Sequence, residues 1–277
     1  MNNAIHLLHS QTPIQMESFI ITTESGRIIA IDGGNREDAR YFVDYLRKVT
    51  GDERPHIDAW FLTHSHKDHV GAFLEIVKNM SDEVEIGGVY YNFPSVKFFK
   101  RGLPPDYSAL GTAEKFYAAL PLFADKACIV SGGDTYEIGD AKFEILYTTD
   151  SEILNNVANN SSTVFKMTLG GRTALFLGDC GVEAGNKILT KYAGTDMLDC
   201  DICQMAHHGQ QGVSREFYEA VRPEICLWCT PRWLWENDAG KGFNTHVFKT
   251  VEVREWMEKL GVKKNYIDMD GTQICPL

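Results

Sequence analysis

The chain has 277 residues, of which 44% are hydrophobic and 23% charged, so it can bury a core and is neither disordered nor fibrous. Its 38 acidic and 27 basic residues give a net charge of -11, which opposes the basic surface that binding to nucleic-acid phosphates requires. No apolar run reaches the roughly 18 residues that cross a bilayer, and the start lacks a signal sequence, so we expect a soluble cytoplasmic protein without nucleic-acid or membrane partners.

The first third of the chain alternates predicted strands with predicted helices. Runs rich in β-branched and aromatic residues predict strands at 18–24, 27–34 and 58–64. Between the last two strands, an apolar stripe predicts a helix that is capped by Asn35 and ends at Gly51. A second helix follows the third strand directly. A group of histidines at that junction therefore lies where a strand gives way to a helix.

The middle of the chain interrupts this alternation. Residues 88–126 contain nine aromatic side chains and several prolines, and we interpret them as an insertion. Strands are expected again at 142–149 and on both sides of Gly170-Gly171, which is a two-residue hairpin signal. The remaining predicted elements are a helix at 182–193, a strand at 201–208, a helix at 214–221, a strand at 224–230, a helix at 246–260 and a hairpin at 266–274.

Two strand-rich halves that each carry helices predict two packed sheets with helices outside. This arrangement is a four-layered αββα sandwich of the α/β class. No linker or internal repeat divides the chain. We therefore expect one domain that spans 1–277, includes the aromatic insertion and shares a single core between its halves.

Two cysteine pairs have the spacing of a zinc ribbon, Cys200-x-x-Cys203 and Cys226-x-x-Cys229. Both lie in apolar strand patterns, where residues three apart face opposite sides of a sheet. Neither pair has the glycine-rich knuckle of a ribbon, so we interpret them as core thiols. The odd total of seven scattered cysteines also fits a reducing compartment.

The stretch 63–69 concentrates side chains that bind metal ions. Four of them occupy six positions at the predicted end of a strand: His64, His66, Asp68 and His69. Imidazole and carboxylate are both good ligands for zinc, manganese or iron. Alternate side chains of an extended segment share a side, so the first two histidines can face one ion while the carboxylate and the last histidine face a second. Surface histidines on a capped helix are the alternative, which such a dense pattern disfavours.

This stretch matches at every position the motif His-x-His-x-Asp-His of the metallo-β-lactamase superfamily, which the chain resembles. The resemblance implies that Asp32, in IIAIDGG, hydrogen-bonds a ligand histidine and that Asp179, in LFLGDC, bridges two ions. It also implies a last ligand at His207-His208. We expect His208 to ligate and His207 to contact a phosphoryl group or donate a proton, and the opposite order stays open. The expected metal ligands are His64, His66, Asp68, His69, Asp179 and His208.

Within the superfamily, the chain resembles most the soluble domain of the competence DNA-uptake channel and its stand-alone relatives, which include phosphorylcholine esterases. The motifs that carry this resemblance are Asn159-Asn160-Ser161-Ser162, LFLGD, Met205-Ala206-His207-His208-Gly209, Asn244-Thr245-His246 and YIDMDGTQI. The resemblance implies phosphodiester chemistry and makes His246 a candidate proton donor. The glycine and proline that flank this histidine in those relatives are absent here.

One departure from the wider superfamily concerns the first of the two ions. Many members supply a further histidine midway, but this chain has none between His69 and His207. The ion would have the first two histidines of the motif, Asp179 and water, with an oxygen from the 159–162 loop as a candidate addition. We therefore expect this ion to bind weakly.

The resemblance implies a metal-dependent hydrolase in which two divalent ions carry a bridging hydroxide. The expected substrate is a small phosphodiester or related ester, and the expected metal is zinc, with manganese or iron as alternatives. Asp68, His207 and His246 are the expected catalytic residues, and Trp233 and Trp235 are candidates to line the substrate cleft. A nuclease acting on single-stranded nucleic acid and a metal-poor, non-catalytic binding domain of the same fold stay open as alternatives.

Overall fold

The computed structural model describes all 277 residues, which form two seven-stranded sheets and one separate strand pair. In chain order the strands are β1 (Ala4–Leu7), β2 (Ser18–Thr22), β3 (Ile28–Asp32), β4 (His56–Ile57), β5 (Ala59–Leu62), β6 (Glu85–Ile86), β7 (Val89–Tyr91), β8 (Ala127–Ile129), β9 (Thr135–Ile138), β10 (Ala141–Tyr147), β11 (Val164–Leu169), β12 (Arg172–Phe176), β13 (Ile202–Gln204), β14 (Ile225–Trp228), β15 (Lys264–Ile267) and β16 (Gln273–Pro276). The first sheet has the order β16-β1-β2-β3-β5-β7-β8, and the second has the order β15-β14-β13-β12-β11-β10-β9.

Eight α-helices accompany the strands. They are α1 (Ala39–Thr50), α2 (Lys67–Asn79), α3 (Val96–Phe99), α4 (Tyr107–Ala119), α5 (Val182–Lys191), α6 (Arg215–Val221), α7 (Arg232–Trp235) and α8 (Thr250–Leu260). The expected helix between Asn35 and Gly51 is present. It ends where Gly51 adopts a φ of 78°, a left-handed conformation that glycine takes without strain. None of the helices combines the length and apolar character that crossing a bilayer requires.

Three buried apolar clusters show that the elements stack in four layers. One cluster packs α1 and α2 against the first sheet, with Trp60 at its centre. A second joins the inner faces of the two sheets, where Phe61 stacks on Phe143 with ring centroids 4.5 Å apart. The third packs α5, α6 and α8 against the second sheet. The predicted αββα sandwich is therefore confirmed, because each sheet buries one face on helices and the other on its partner sheet.

Each sheet combines antiparallel strands with a parallel group. Strands β3, β5, β7 and β8 run parallel in the first sheet, and β12, β13, β14 and β15 run parallel in the second. The Gly170-Gly171 hairpin is present and joins β11 to β12. In parallel groups, the loops that follow the strands gather at one edge, and the metal-binding motif lies in such a loop.

Residues 88–126 contribute to the first sheet and to the helices that cover it. Their ends form β7 and lead to β8, and α3 and α4 lie between. Most of their aromatic side chains are buried; among them, Phe116 and Phe123 pack against Phe73 of α2, and Phe93 packs against Phe116. Tyr107 is the exception, at 74% exposure. These rings therefore serve mainly as core of the helical layer.

Two predicted boundaries and one predicted hairpin near the C-terminus are wrong. The strand expected at 201–208 ends at Gln204, because the two histidines leave the sheet in a left-handed turn. The helix expected at 246–260 begins at Thr250. Residues 266–274 do not form a hairpin, since β15 pairs with β14 and β16 pairs with β1. The turn at Asp270-Gly271 instead carries the chain from one sheet to the other.

The cysteine pairs lie in the core, as expected. Cys200, Cys203 and Cys226 belong to the cluster under the helices, whereas Cys229 belongs to the cluster between the sheets. All seven cysteines are free thiols. No group of potential metal ligands includes them, so the zinc-ribbon spacing does not correspond to a ribbon.

Candidate metal centre

The candidate metal centre lies where both sheets present the carboxyl ends of their parallel strands. In the first sheet, β3 ends at Asp32 and β5 leads into the segment 63–69, which begins α2. In the second sheet, β12 leads to Asp179 and β13 leads to His207 and His208. The structure brings all six expected ligands together around one carboxylate. They come from distant parts of the chain because crossover connections return every parallel strand to the same edge.

Gly178 permits the close approach of the two sheets at this edge. Its φ is +53°, and a Cβ at this position would lie 2.8 Å from the Cβ of Thr63. Any side chain would therefore push apart the strands that carry Asp179 and the histidine motif. This contact gives a physical reason for glycine in the sequence LFLGD.

One oxygen of Asp179 faces three histidines. Its Oδ2 lies 3.6 Å from Nε2 of His64, 4.0 Å from Nδ1 of His66 and 3.7 Å from Nε2 of His207. The first two nitrogens are themselves 2.9 Å apart. These atoms define a first group of donors.

The other oxygen of Asp179 faces a second group of donors. Its Oδ1 lies 3.2 Å from Nε2 of His69 and 3.7 Å from Nε2 of His208. Oδ2 of Asp68 completes this group at 3.3 Å from Nε2 of His208. Asp179 therefore stands between two sets of nitrogen and oxygen donors, with one oxygen directed toward each.

The donor atoms of the second group fit a divalent cation. Nε2 of His69, Oδ1 of Asp179 and Nε2 of His208 are buried and form no hydrogen bond. A buried polar atom without a partner costs about 1 to 3 kcal/mol, so three adjacent ones need a compensating ligand. Imidazole nitrogen and carboxylate oxygen are the donors that zinc, iron and manganese take. The residues present thus suit the metal that the sequence predicts.

A buried aspartate orients the last histidine of the motif. Nδ1 of His69 donates a hydrogen bond to Oδ2 of Asp32 over 2.7 Å. The same carboxylate accepts hydrogen bonds from the backbone N–H of Thr63 at 2.8 Å and from its hydroxyl at 2.6 Å. With Nδ1 committed to Asp32, the lone pair of Nε2 points at Asp179. The expected contact between Asp32 and a ligand histidine is present.

Asp106, which the sequence did not single out, orients His66. Its Oδ2 lies 3.0 Å from Nε2 of that histidine, while its Oδ1 caps α4 by accepting from the N–H of Ala109 at 2.9 Å. His66 therefore presents Nδ1 to the centre. The sequence gives no sign that Asp106 contacts His66, because the two residues are 40 positions apart and an aspartate before a helix is ordinarily only a cap.

Glu17 is a second buried group that the sequence analysis missed. It is fully buried beside Asp32 and His69, and Oε2 accepts a hydrogen bond from Nε2 of Gln204 at 2.8 Å. Burial holds the pKa of this carboxyl well above its ordinary value, although the charge of His69 acts in the opposite direction. Gln204 also accepts from the N–H of Leu177 at 2.6 Å, so the pair braces the strand end before Asp179. The sequence feature that could have indicated a buried role for Glu17 is its position directly before the apolar strand β2.

Burial disfavours charge throughout the centre, and neighbouring groups decide which way each pKa moves. The carboxyl of Asp179 loses solvation, but the histidines around it, His69 foremost, hold its pKa well below the ordinary value. Burial lowers the pKa of His208, whereas Asp179 and Asp68 together raise it to about 9. Burial and then His69 hold the pKa of His64 well below its usual range. A cation must displace the proton of His208, so metal binding is expected to weaken as the pH falls.

A cavity of about 300 Å³ opens beside His207. Its walls include the side chains of Asn155, Glu183, Gln210 and Phe248. The amides and the carboxylate supply hydrogen-bonding groups next to the donor cluster, and the ring supplies an apolar surface. Of the donor residues, only His207 lines this cavity, which has the size of a small-molecule site.

His246 lies outside the donor cluster. Its ring stacks on Phe248, with centroids 4.1 Å apart, and its Nδ1 accepts from the N–H of Val247. No contact joins it to Asp179 or to the histidines around that carboxylate. His246 lies before α8, which begins at Thr250, and reaches the surroundings of His207 only through Phe248, which lines the cavity there.

The two tryptophans have different surroundings. Trp233 donates from Nε1 to the carbonyl of Pro13 at 2.9 Å and lines a separate cavity of about 240 Å³ with His9 and the buried Asp268. Trp235 packs against Trp228 in the core, with ring centroids 5.2 Å apart. Neither ring lines the cavity beside His207.

Comparison with known proteins places these features in a family. Residues 12–225 match the sequence model of the family described as the metallo-beta-lactamase superfamily. No curated protein matches this sequence.

Solved structures show the same fold at low sequence identity. The metallo-beta-lactamase fold protein YhfI from Bacillus subtilis is 11% identical to this chain, and the two superpose with a TM-score of 0.57 over 98% of this chain and 99% of that one. Zinc-bound PqqB from Methylobacterium extorquens is 12% identical with a TM-score of 0.54, over 95% and 88%. CmlA from Streptomyces venezuelae, a diiron β-hydroxylase, is 15% identical with a TM-score of 0.57, and this chain spans 54% of its length. Since these proteins are at most 15% identical to this chain, the likeness shows the fold alone.

Proposed function

This chain belongs to the metallo-beta-lactamase superfamily, and on that premise we propose that it is a metal-dependent hydrolase that holds two divalent ions. One observation carries the proposal: the two oxygens of Asp179 face two separate groups of donor atoms. A single bridging carboxylate with a donor set on each side is the arrangement that keeps two cations adjacent.

Two ions bound there would lower the pKa of water into the neutral range and polarise the scissile bond. The protein contributes orientation and a proton acceptor. Asp32 and Asp106 hold His69 and His66 with the correct nitrogen inward. Burial raises the pKa of Asp68, but contact with His208 outweighs it and holds this pKa below its usual value. Asp68 is therefore ionised at neutral pH and placed to accept a proton.

The proposed substrate is a small phosphodiester or a related ester. A cavity of about 300 Å³ next to His207 suits a compact ligand. The side-chain amides of Asn155 and Gln210 on its wall can donate to phosphoryl oxygens. The net charge of -11 disfavours long polyanions. The motifs in this sequence that resemble the competence DNA-uptake channel and its stand-alone relatives also support phosphodiester chemistry.

The remaining features of the proposal follow from the sequence. Zinc is the proposed metal because each donor group contains at least two histidines, with manganese or iron as alternatives. We also propose that the chain acts as one domain in the cytoplasm on a small-molecule substrate, without a nucleic-acid or membrane partner. Seven free thiols are consistent with that compartment.

The test compares three substrates on protein loaded with zinc. A bis-aryl phosphate, single-stranded DNA and a chromogenic β-lactam are assayed at physiological salt, where charge repulsion is screened over about 8 Å. Turnover of the diester, lost in Asp179→Asn, supports the proposal. Efficient cleavage of DNA with little turnover of the diester would favour a nuclease instead. Absence of bound metal after loading would favour a non-catalytic binding domain.

A further inference from the structure

The first donor group lacks the midway histidine that many superfamily members supply. Between His69 and His207 the chain contains no histidine, so the sequence leaves the first ion with two imidazoles. We propose that His207 supplies the third imidazole of this group, so that the adjacent residues His207 and His208 each bind one of the two ions. The inference rests on the proposed metal-dependent function and assigns one more ligand within it.

Distances around Asp179 support this assignment. Nε2 of His207 lies 3.7 Å from Oδ2, as close to that oxygen as the two motif histidines, which lie at 3.6 and 4.0 Å. Ligands of a tetrahedral zinc at about 2.0 to 2.1 Å from the metal are about 3.4 Å from one another. His208 has the same relation to the opposite oxygen, at 3.7 Å. The two neighbours therefore hold equivalent positions on the two sides of one carboxylate.

The hydrogen bonds of His207 match those of the other expected ligands. Its Nδ1 lies 3.1 Å from the carbonyl oxygen of Gln211 and donates to it, just as Nδ1 of His208 donates to the carbonyl of Cys229 at 3.0 Å. A ligating imidazole anchors its outer nitrogen in this way, which fixes the tautomer. The lone pair of Nε2 is then left for the interior, where Oδ2 of Asp179 lies 3.7 Å away and the side-chain amide nitrogen of Asn159 lies 3.4 Å away. A proton donor would need the hydrogen on that nitrogen instead.

The backbone explains how neighbouring residues reach one carboxylate. In an extended strand, adjacent side chains point to opposite faces, and only one of the two histidines could face the centre. His207 and His208 instead have φ/ψ values of 52°/51° and 54°/21°, in the left-handed region that non-glycine residues rarely adopt. Successive side chains of such a turn are about 100° apart. Both rings can then flank Asp179, and strain of this kind is typical of functional sites.

The exposure of His207 distinguishes the two sites. Its side chain is 24% exposed, whereas that of His208 is fully buried. His207 also lines the cavity in which the substrate is proposed to bind. An ion held by the first donor group would therefore lie nearer to the cavity, and an ion held by the second group would be enclosed by protein. The third ligand of the first ion is then His207, which the sequence analysis expected to contact the substrate or to donate a proton.

Zinc titration of the metal-free protein tests the assignment without an activity assay. Zinc affinities are measured by competition with a chromophoric chelator for the wild type and for His207→Asn. Asparagine tolerates the left-handed backbone but is too short to ligate. We expect the wild type to bind two ions and the variant to bind one of them more than about 100-fold more weakly. Loss of a residue that only orients a ligand lowers metal affinity by about 10 to 100-fold, and loss of the ligand itself should lower it further. His207→Gln is measured beside it in case the first variant does not fold.

Further variants identify which ion is affected. His64→Asn should weaken the same ion, and the double variant with His207→Asn should lose little more, because both remove ligands of one site. His208→Asn should weaken the other ion. His56→Gln, a histidine outside the centre that is 45% exposed, is the matched control and should bind both ions normally.

Each result separates this inference from the proposed function. If His207→Asn binds two ions within about threefold of the wild type, or weakens the ion that His208→Asn weakens, the inference is overturned while the hydrolase proposal stands. A wild type that binds one ion, unaffected by His207→Asn, also overturns it. A wild type that binds no zinc overturns both.

Discussion

Asp32→Asn tests whether orientation of a ligand, rather than ligation itself, limits metal affinity. In the native protein, Oδ2 of Asp32 accepts from Nδ1 of His69 at 2.7 Å and from the Thr63 hydroxyl at 2.6 Å, and Oδ1 accepts from the Thr63 N–H at 2.8 Å. An asparagine keeps one oxygen for the backbone N–H and turns its NH₂ toward His69. Two donors would then meet, and the imidazole can relieve this only by moving its proton to Nε2, the nitrogen that faces Asp179.

The expected result is a weaker second ion with the fold retained. Loss of such a partner costs about 10 to 100-fold in metal affinity, which is about 1.4 to 2.8 kcal/mol. Zinc affinity is measured by chelator competition, with circular dichroism of the metal-free variant to show that it folds. Asp38→Asn is the control, since Asp38 is equally buried but accepts from the N–H groups of Asn35 and Gln11. An Asp32→Asn affinity within about threefold of the wild type would refute the reasoning.

Three further changes have defined outcomes. Asp179→Asn should remove most hydrolytic activity with excess zinc present, since the amide keeps the shape but loses the charge between two cations; activity within a few-fold of the wild type would contradict the bridging role. Gly178→Ala should destabilise the protein by about 2 to 5 kcal/mol in urea denaturation, because a left-handed φ of +53° and a contact 2.8 Å from the Cβ of Thr63 act together. Burial raises the pKa of Asp268 to about 7, so the native carboxyl stays protonated while the unfolded one ionises, and stability falls as the pH rises from about 4 to 7. Asp268→Asn should remove this slope and gain up to about 4 kcal/mol in the metal-free protein at pH 8; an unchanged slope would show that another group causes it.

Most residues of the candidate site could be predicted from local patterns in the sequence. The spacing His-x-His-x-Asp-His lies within one short segment, so its geometry depends on a single strand end and the first turn of α2. Alternating strands and helices likewise predicted the layers, because each element buries the face that its own periodicity makes apolar. Asp179 was predicted from the family motif at a strand end. These features need few assumptions about the rest of the chain.

Contacts between distant segments were decided by the tertiary structure alone. Asp106 caps a helix and reaches His66 across 40 residues, and Glu17 meets Gln204 across 187; no local pattern encodes either pair. The direction of His207 depends on a left-handed turn where the strand pattern predicted extended chain. The carbonyl of Cys229, 21 residues away, accepts from Nδ1 of His208 and holds that ring in the turn. A sequence names the residues able to bind a metal, but the closing of the two sheets determines which atom each one presents.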